Sequence, residues 1–199
     1  MTTAKATLLE AIAGRNRGLL ANETENKAIF EAIAQLEAQA PISQPLEAKS
    51  TLSGVWRLLY TTSDELLGIN RVPLYVLGQV YQCIDADQAK IYNIAEINGL
   101  PGLGGLVSVA ATFEPSSEQR VQVQFQRAVF GLQRLVGYQN PQQFMQQLET
   151  IQRFLAIDIA LARRERKGWL EVTYLDDSLR IGRGNQGSVF VLTKVSGAS

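Results

Sequence analysis

Carboxylates are the first side chains to weigh for proton transfer in this sequence, because it contains no histidine. That absence removes Ser-His-Asp and Cys-His nucleophile systems, imidazole general bases and the usual zinc ligand sets. Asp176 and Asp177 stand side by side in "TYLDDSLRIGRG". Adjacent side chains of an extended chain point to opposite faces, so these two do not converge on one substrate atom. They suit a turn, with Arg180 and Arg183 placed to pair with them across a hairpin as a structural latch. Cys83 is the single cysteine and forms no intrachain disulfide. Any enzyme reading must therefore work without imidazole, and no metal-ligand set is legible in these residues.

Three other groups invite a functional reading. The glycine-rich "INGLPGLGGLVSV" resembles an anion-cradling loop, yet it lacks the Gly-Lys-Ser/Thr ending of a P-loop and the dinucleotide spacing. Its leucines, Leu100, Leu103 and Leu106, suit either a plain inter-strand loop or an apolar lip at a pocket mouth or membrane surface. In "ARRERKGW", Arg163, Arg164, Arg166 and Lys167 surround Glu165 beside Trp169. The run reads either as a solvated hairpin turn or as a site attracting anionic headgroups. The aromatic residues form the third group, and Trp56, Tyr60, Tyr92, Phe113, Phe125 and Tyr174 all fall in predicted strands as candidates to line an apolar ligand cavity.

Composition narrows the partners. The chain has 199 residues, with 19 Lys plus Arg against 19 Asp plus Glu, so it carries no basic field for a nucleic-acid backbone. No uninterrupted apolar run of the roughly 18 residues needed for a spanning helix occurs. Membrane contact is therefore expected to be peripheral. The N-terminal "MTTAKATLLEAIAG" lacks the pattern of a secretory signal, and with the lone cysteine this points to a reducing, intracellular compartment.

The elements that must position these residues fall into two parts. Residues 1–45 read as a helical pair, with Leu8, Ile12 and Leu19 at helical spacing in the first helix, and Gly14 and Gly18 where it would weaken or stop. In the second, Ile29, Ile33, Leu36 and Ala40 make one face, Asn22 or Thr24 caps, and Pro41 closes. Residues 46–199 read as a β domain. The clearest strand is "RVQVQFQRAV", where Val121, Val123 and Phe125 alternate with glutamines. Similar runs occur at "VWRLLYTT", "AKIYNIAEI", "LVSVAATFEP", "GWLEVTYL", "SLRIGRG" and "SVFVLTKV", and residues 71–84 add another with Pro73 near its start. "NPQQFMQQLETIQRFLAIDIA" reads as a short helix from Pro141 followed by a strand through Leu155, Ile157 and Ile159. Strands this short and frequent predict an antiparallel sandwich or barrel, with the helical pair packed on it. In the first strand Trp56, Leu58 and Tyr60 share an uncharged face, which is expected to point inward. A barrel of about eight strands either fills with side chains or keeps one small cavity.

"LSGVWRLLYTTSDELL", together with "GWLEVTYLDDSLRIGRGNQGSVFVL" and "FQRAVFGLQRLVGYQNPQQF", resembles the plastid lipid-associated protein (PAP)/fibrillin family. Residues 1 to 45 carry no family signature. The resemblance implies a mainly β, lipocalin-like antiparallel barrel that binds or sequesters hydrophobic small molecules such as a prenylquinone, a carotenoid or another lipid. It implies no catalytic constellation and no cofactor, and places the protein at the thylakoid surface in a non-enzymatic, structural or photoprotective role. The lack of a transit-peptide-like leader points to a cyanobacterial member on the cytoplasmic side of that membrane, with a mature plastid form as the alternative. The implied structural signature is Gly54, Trp56, Asp176, Asp177, Arg180, Arg183, Gly184 and Gly187. Lipocalin-like barrels lay an arginine from the last strands across the Trp of a Gly-X-Trp at the closed end, and either Arg180 or Arg183 is placed to do so. Two other roles fit the same barrel, a bilin lyase or chaperone and a scaffold for a prenyl-chain enzyme.

Overall fold

The computed structural model describes residues 3–63, 76–99, 102–161 and 167–195. The first helix, α1 (Ala4–Ile12), buries Leu8 and Ile12 and ends well before Leu19, since Gly14 takes φ +72°. The chain then passes through turns to α2 (Glu23–Glu37). Of the two possible caps, Asn22 is used, in a reciprocal capping box with Glu25. The buried face of α2 comprises Ile29, Ala32, Ile33 and Leu36. A short α3 (Lys49–Leu52) leads into β1 (Gly54–Thr61).

Eight antiparallel strands close into a barrel: β1, β2 (Val76–Asp85), β3 (Lys90–Asn98), β4 (Gly105–Pro115), β5 (Arg120–Leu132), β7 (Lys167–Leu175), β8 (Leu179–Gly184) and β9 (Val189–Lys194). Between β5 and β7 come α4 (Gln133–Val136), α5 (Pro141–Thr150) and β6 (Ile157–Ala160). The barrel, the expected helix from Pro141 and the strand after it are all present. Asn140 caps α5 by accepting from the Gln143 N–H. Pro73 lies outside the described residues.

β5 is the long strand of the wall, and one of its edges is shared. Its first residues, Arg120–Gln124, pair with β7, while Arg127–Phe130 pair with β6. Near the start of β5 the wall is therefore closed by β7, and farther along it is extended by β6. Bidentate hydrogen bonds from Arg127 to Asp158, 2.9 and 2.6 Å long, pin β6 in place. The same guanidinium donates to the carbonyls of Leu148 and Ile151.

Bulges decide which side chains face inward. Trp56 and Leu58 join the interior cluster, but the β1–β9 register slips between Leu58 and Tyr60, so Leu59 is an extra residue in its strand. Tyr60 consequently lies opposite Val191 on the outer face, buried under α1 and α2. The expectation that Trp56, Leu58 and Tyr60 share one inward face holds for the first two and fails at the bulge. A second slip, between Val172 and Tyr174, does the same in β7: Val172 is inside and Tyr174 outside. Leu8, Ile29, Ile33, Leu179, Ile181 and Val189 complete this outer cluster, which fastens the helices to the sheet. Gly18 is required here, because its φ is +104° and a Cβ would stand 2.6 Å from the Thr61 carbonyl oxygen. On the opposite flank α5 lays Phe144 and Leu148 over Tyr92, Cys83 and Val129.

Candidate ligand-binding site inside the barrel

One end of the barrel is plugged. Trp56 is fully buried there, its indole Nε1 donating to the Leu52 carbonyl at 2.9 Å. The Arg180 guanidinium carbon lies 5.1 Å from the Trp56 ring centroid, and the Lys194 Nζ approaches the same ring at 5.3 Å. Lys194 also donates to the Thr51 carbonyl at 2.7 Å. Gly54 makes room for that lysine: a Cβ at Gly54, whose φ is +129°, would meet Lys194 Cε at 3.0 Å. Of the two arginines placed to cover the tryptophan, Arg180 does so. Arg183 faces outward and grips Glu37 of α2 through two hydrogen bonds of 2.9 and 2.7 Å. Around the floor, Ile84, Ile91, Phe113, Val121 and Leu175 are all buried.

Toward the other end the inner face changes character. Directly paired residues of antiparallel strands share a face, so register alone identifies the lining. Val107 pairs with Phe130 and Val109 with Ala128, while Phe130 and Ala128 also pair with Ile157 and Ile159. Val107, Val109 and Phe125 remain half-buried although they point inward. Nearer the rim, Phe130 is 41% exposed and Ile157 63%. The inner face thus runs, mostly apolar, from Trp56 at the closed end to Phe130 and Ile157 at the other.

A polar step interrupts this apolar face. Gln82 pairs with Trp56 and Asn93 with Gln82, so both amides face inward. Gln82 Nε2 donates to Asn93 Oδ1 at 2.8 Å, and Gln82 Oε1 accepts a hydrogen bond from Arg180 Nη2. Both amide residues are half-buried. They escaped the sequence reading, although a signal existed: each interrupts an otherwise apolar period-two face, Val80-Gln82-Ile84 and Ile91-Asn93-Ala95. Ile157 and Ile159 are legible as strand residues and Phe130 directly follows one, but only pairing brings Phe130 and Ile157 together at this end of the barrel.

The structure divides the six aromatic candidates. Trp56, Phe113 and Phe125 line or pack on the interior. Tyr60, Tyr92 and Tyr174 lie on the outer faces beneath helices, with their hydroxyls donating to Asn26, Glu149 and Asp176 at 2.7, 2.8 and 2.7 Å. Burial, together with the bond to the neighbouring carboxylate, raises the hydroxyl pKa of Tyr92 and Tyr174 above the phenolic range.

Of the acidic pair, Asp176 acts as a latch, with a different partner from the one expected. Asp176 accepts from Lys5 Nζ at 2.7 Å, from Tyr174 and from the backbone N–H groups of Ser178 and Leu179. Burial works against its charged form, but these four donors prevail and hold its carboxyl at about 2. The contact with Lys5 ties α1 to the β7–β8 hairpin, while Arg180 and Arg183 are engaged elsewhere. Asn185–Gly187 form a 3₁₀ turn between β8 and β9, with Gly187 at φ +74°. Burial drives the Cys83 thiol up to about 12, which leaves it unreactive at neutral pH. Leu103 of the glycine-rich loop is exposed, and Leu100 lies outside the described residues. So do Arg163, Arg164, Arg166 and the Lys167 side chain. Among the described residues no group of three or more metal-ligating side chains occurs, and no helix is long and apolar enough to cross a membrane.

The PAP_fibrillin family model matches residues 2–193. The chain is 31% identical to "Light-induced protein, chloroplastic" of Solanum tuberosum over 96% of its own length and 66% of the relative's. Identity to "Probable plastid-lipid-associated protein 2, chloroplastic" of Arabidopsis thaliana is also 31%, over 96% and 70% of the two chains. With "Chromoplast-specific carotenoid-associated protein, chromoplastic" of Cucumis sativus it is 30%, over 96% and 67%. The chain thus spans about two thirds of the length of these curated relatives.

Proposed function

The chain belongs to the PAP/fibrillin family, and from that premise we propose that it is a lipid-associated protein that shelters a hydrophobic small molecule in its barrel. The ligand class is a prenylquinone, a carotenoid or another lipid. The role is one of binding rather than catalysis. The observation that carries this reading is the partial exposure of Val107, Val109, Phe125 and Phe130 on the inner face of an otherwise buried barrel. Apolar surface left in contact with water gains about 25 cal/mol for each Å² that a ligand covers. An isoprenoid or acyl chain meets that need with few polar contacts. The names of the relatives, which speak of plastid lipid and carotenoid association, support the same class.

The site of action is the surface of a thylakoid or similar plastid-type membrane. Leu103, Phe130, Leu135, Leu155 and Ile157 are exposed, and all five belong to strand ends or connections at the Phe130 end of the barrel. An end rimmed in this way meets a bilayer with apolar side chains and lets a ligand pass without crossing water. The test is titration with a short-tailed plastoquinone analogue and with a carotenoid while following tryptophan fluorescence, alongside flotation with galactolipid vesicles. Saturable quenching by at least one ligand supports the reading. Absence of saturation with both overturns it, and a shifted visible band on adding a bilin instead would move the barrel to tetrapyrrole chemistry.

A further inference from the structure

A pocket of about 280 Å³ lies outside the barrel wall, where the end of α1 and the turn after it face β1 and β2. Arg17, Arg57, Asn16 and Gln79 supply its polar lining, and Leu9 and Ile12 its apolar wall. Two guanidiniums and two carboxamides thus share one space, with no carboxylate among the described lining residues. In a chain whose formal charges balance, this is a local excess of positive charge. Arg57 stands on the outer face because its neighbours Trp56 and Leu58 point inward. It is half-buried, and among the described residues it makes no hydrogen bond or ion pair. The nearby carboxylate of Glu25 is already taken, by Arg15 at 3.0 Å.

Arg17 is fixed at this pocket by backbone that an arginine seldom adopts. Asn16 and Arg17 take φ +45° and +60°, two successive left-handed residues without the freedom of glycine. Contacts to the barrel hold them there: the Thr61 N–H donates to the Arg17 carbonyl at 3.1 Å, and Arg17 Nη2 donates to the Leu77 carbonyl at 2.7 Å. The guanidinium is therefore placed before any ligand arrives, so little ordering remains to be done on binding. Since β1 runs from Trp56 at the closed end toward Tyr60, the pocket lies toward the other end, the one that carries Phe130 and Ile157. Leu9 in its wall, Leu20 in the turn and Val76 beside Leu77 are all exposed.

We infer that this pocket binds the phosphate head group of an anionic lipid, whose chains continue past Leu9, Leu20 and Val76 into the bilayer. The inference rests on the membrane-surface reading above and adds which lipid the protein recognises there; the barrel interior plays no part in it. Donors stand on two walls, Asn16 and Arg17 on the turn and Arg57 and Gln79 on the strands. A tetrahedral anion offers oxygens to both walls, whereas a carboxylate offers two in one plane. With no carboxylate among the described lining residues to receive a choline or ethanolamine, the lipid selected is one with net negative charge. The volume falls just short of the roughly 300–1,000 Å³ of pockets that enclose a drug-sized molecule, so it takes a head group and leaves the chains outside.

The test is flotation of the full chain with phosphatidylcholine vesicles, with and without phosphatidylglycerol. The wild type is expected to bind the phosphatidylglycerol vesicles roughly tenfold more tightly. Arg57→Gln, which breaks no hydrogen bond or ion pair among the described residues, should remove most of that preference, and Arg57→Lys should restore part of it. Lys27→Gln makes the same charge change at an exposed position of α2 and should leave the preference intact. An equal loss in Lys27→Gln would reduce the effect to net charge and overturn the site. A second arm follows the arginine side chains by NMR while inorganic phosphate or glycerol 3-phosphate is added. Saturable, Arg57-dependent binding of either, without a vesicle preference, assigns the pocket to a soluble phosphate and overturns the lipid. No binding in either arm overturns the site and leaves the barrel-ligand reading standing, because the quinone titration does not involve this pocket. Flotation with no vesicle at all, galactolipid included, overturns the membrane-surface reading and the head-group site with it.

Discussion

The Arg180 guanidinium lies 5.1 Å from the centre of the Trp56 ring, joining β8 to β1 across the plugged end of the barrel. The contact gives the Gly-X-Trp opening of β1 a structural meaning. Trp56 closes the floor, Leu52 at the end of α3 receives its indole N–H, and Gly54 admits the Lys194 stem beneath it. Ligand contacts are therefore to be sought above this layer.

Removing the floor should cost more than any substitution at the rim. Trp56→Ala is expected to lower stability by about 3 to 5 kcal/mol, since it vacates a fully buried site and strips the aromatic face from two cations. Ile157→Ala, at an exposed rim position, should change stability by less than about 1 kcal/mol. Urea unfolding of the two variants measures both.

Asp176 predicts an acid-sensitive latch. Its carboxyl titrates at about 2 in the folded protein against an ordinary value of 3.8, so its contribution is fully present above about pH 4 and fades as pH falls toward 2. Asp176→Asn should therefore destabilise the protein most at neutral pH, by about 1 to 3 kcal/mol. The gap between wild type and variant should close on acidification over that window. Thermal melts at a series of pH values give the result, and a gap that widens below pH 4 would contradict the assignment.

Tyr60 offers a test of the bulge. Its hydroxyl donates to Asn26 outside the barrel wall, so Tyr60→Phe should cost about 0.5 to 1.5 kcal/mol of stability and leave ligand affinity unchanged. Parallel denaturation and binding measurements separate the two effects. A loss of affinity greater than the loss of stability explains would place Tyr60 in the site after all.

The Arg127–Asp158 pair should control the rim. Asp158 is held below its ordinary range chiefly by the Arg127 hydrogen bonds, and it also accepts from the Phe154 N–H. Asp158→Ala leaves that guanidinium largely buried without its carboxylate, at an expected cost of about 3 kcal/mol. Hydrogen exchange should show the amides of Ile157–Ala160 losing protection while those of β1 and β9 keep theirs.

Periodicity exposes most of this fold to a reader of the sequence, because a period-two face is a direct imprint of one-sided burial. Val121, Val123 and Phe125 point inward as their alternation requires. What alternation hides is the bulge: one extra residue, Leu59, reverses every side chain after it, and so Tyr60 leaves the interior. Tyr92 was misplaced for another reason, since both faces of β3 are apolar, one toward the barrel and one under α5. Arg180 was legible as one of two cations for Trp56, but which of the two covers the ring is a property of three-dimensional pairing. A hollow interior leaves no local signal, because an inward residue that packs and one that lines a hollow are the same in sequence.

The central claim, that the barrel shelters an apolar ligand above the Trp56 floor, is tested most directly by filling that space. Val109 faces inward, half-buried, at mid-height, and Val109→Phe adds bulk to the proposed ligand path while leaving the floor and the outer clusters untouched. Isothermal titration calorimetry with the short-tailed plastoquinone analogue should show saturable binding to the wild type and at least tenfold weaker binding to a Val109→Phe variant of equal or greater stability. Undiminished affinity in a folded variant would contradict the claim.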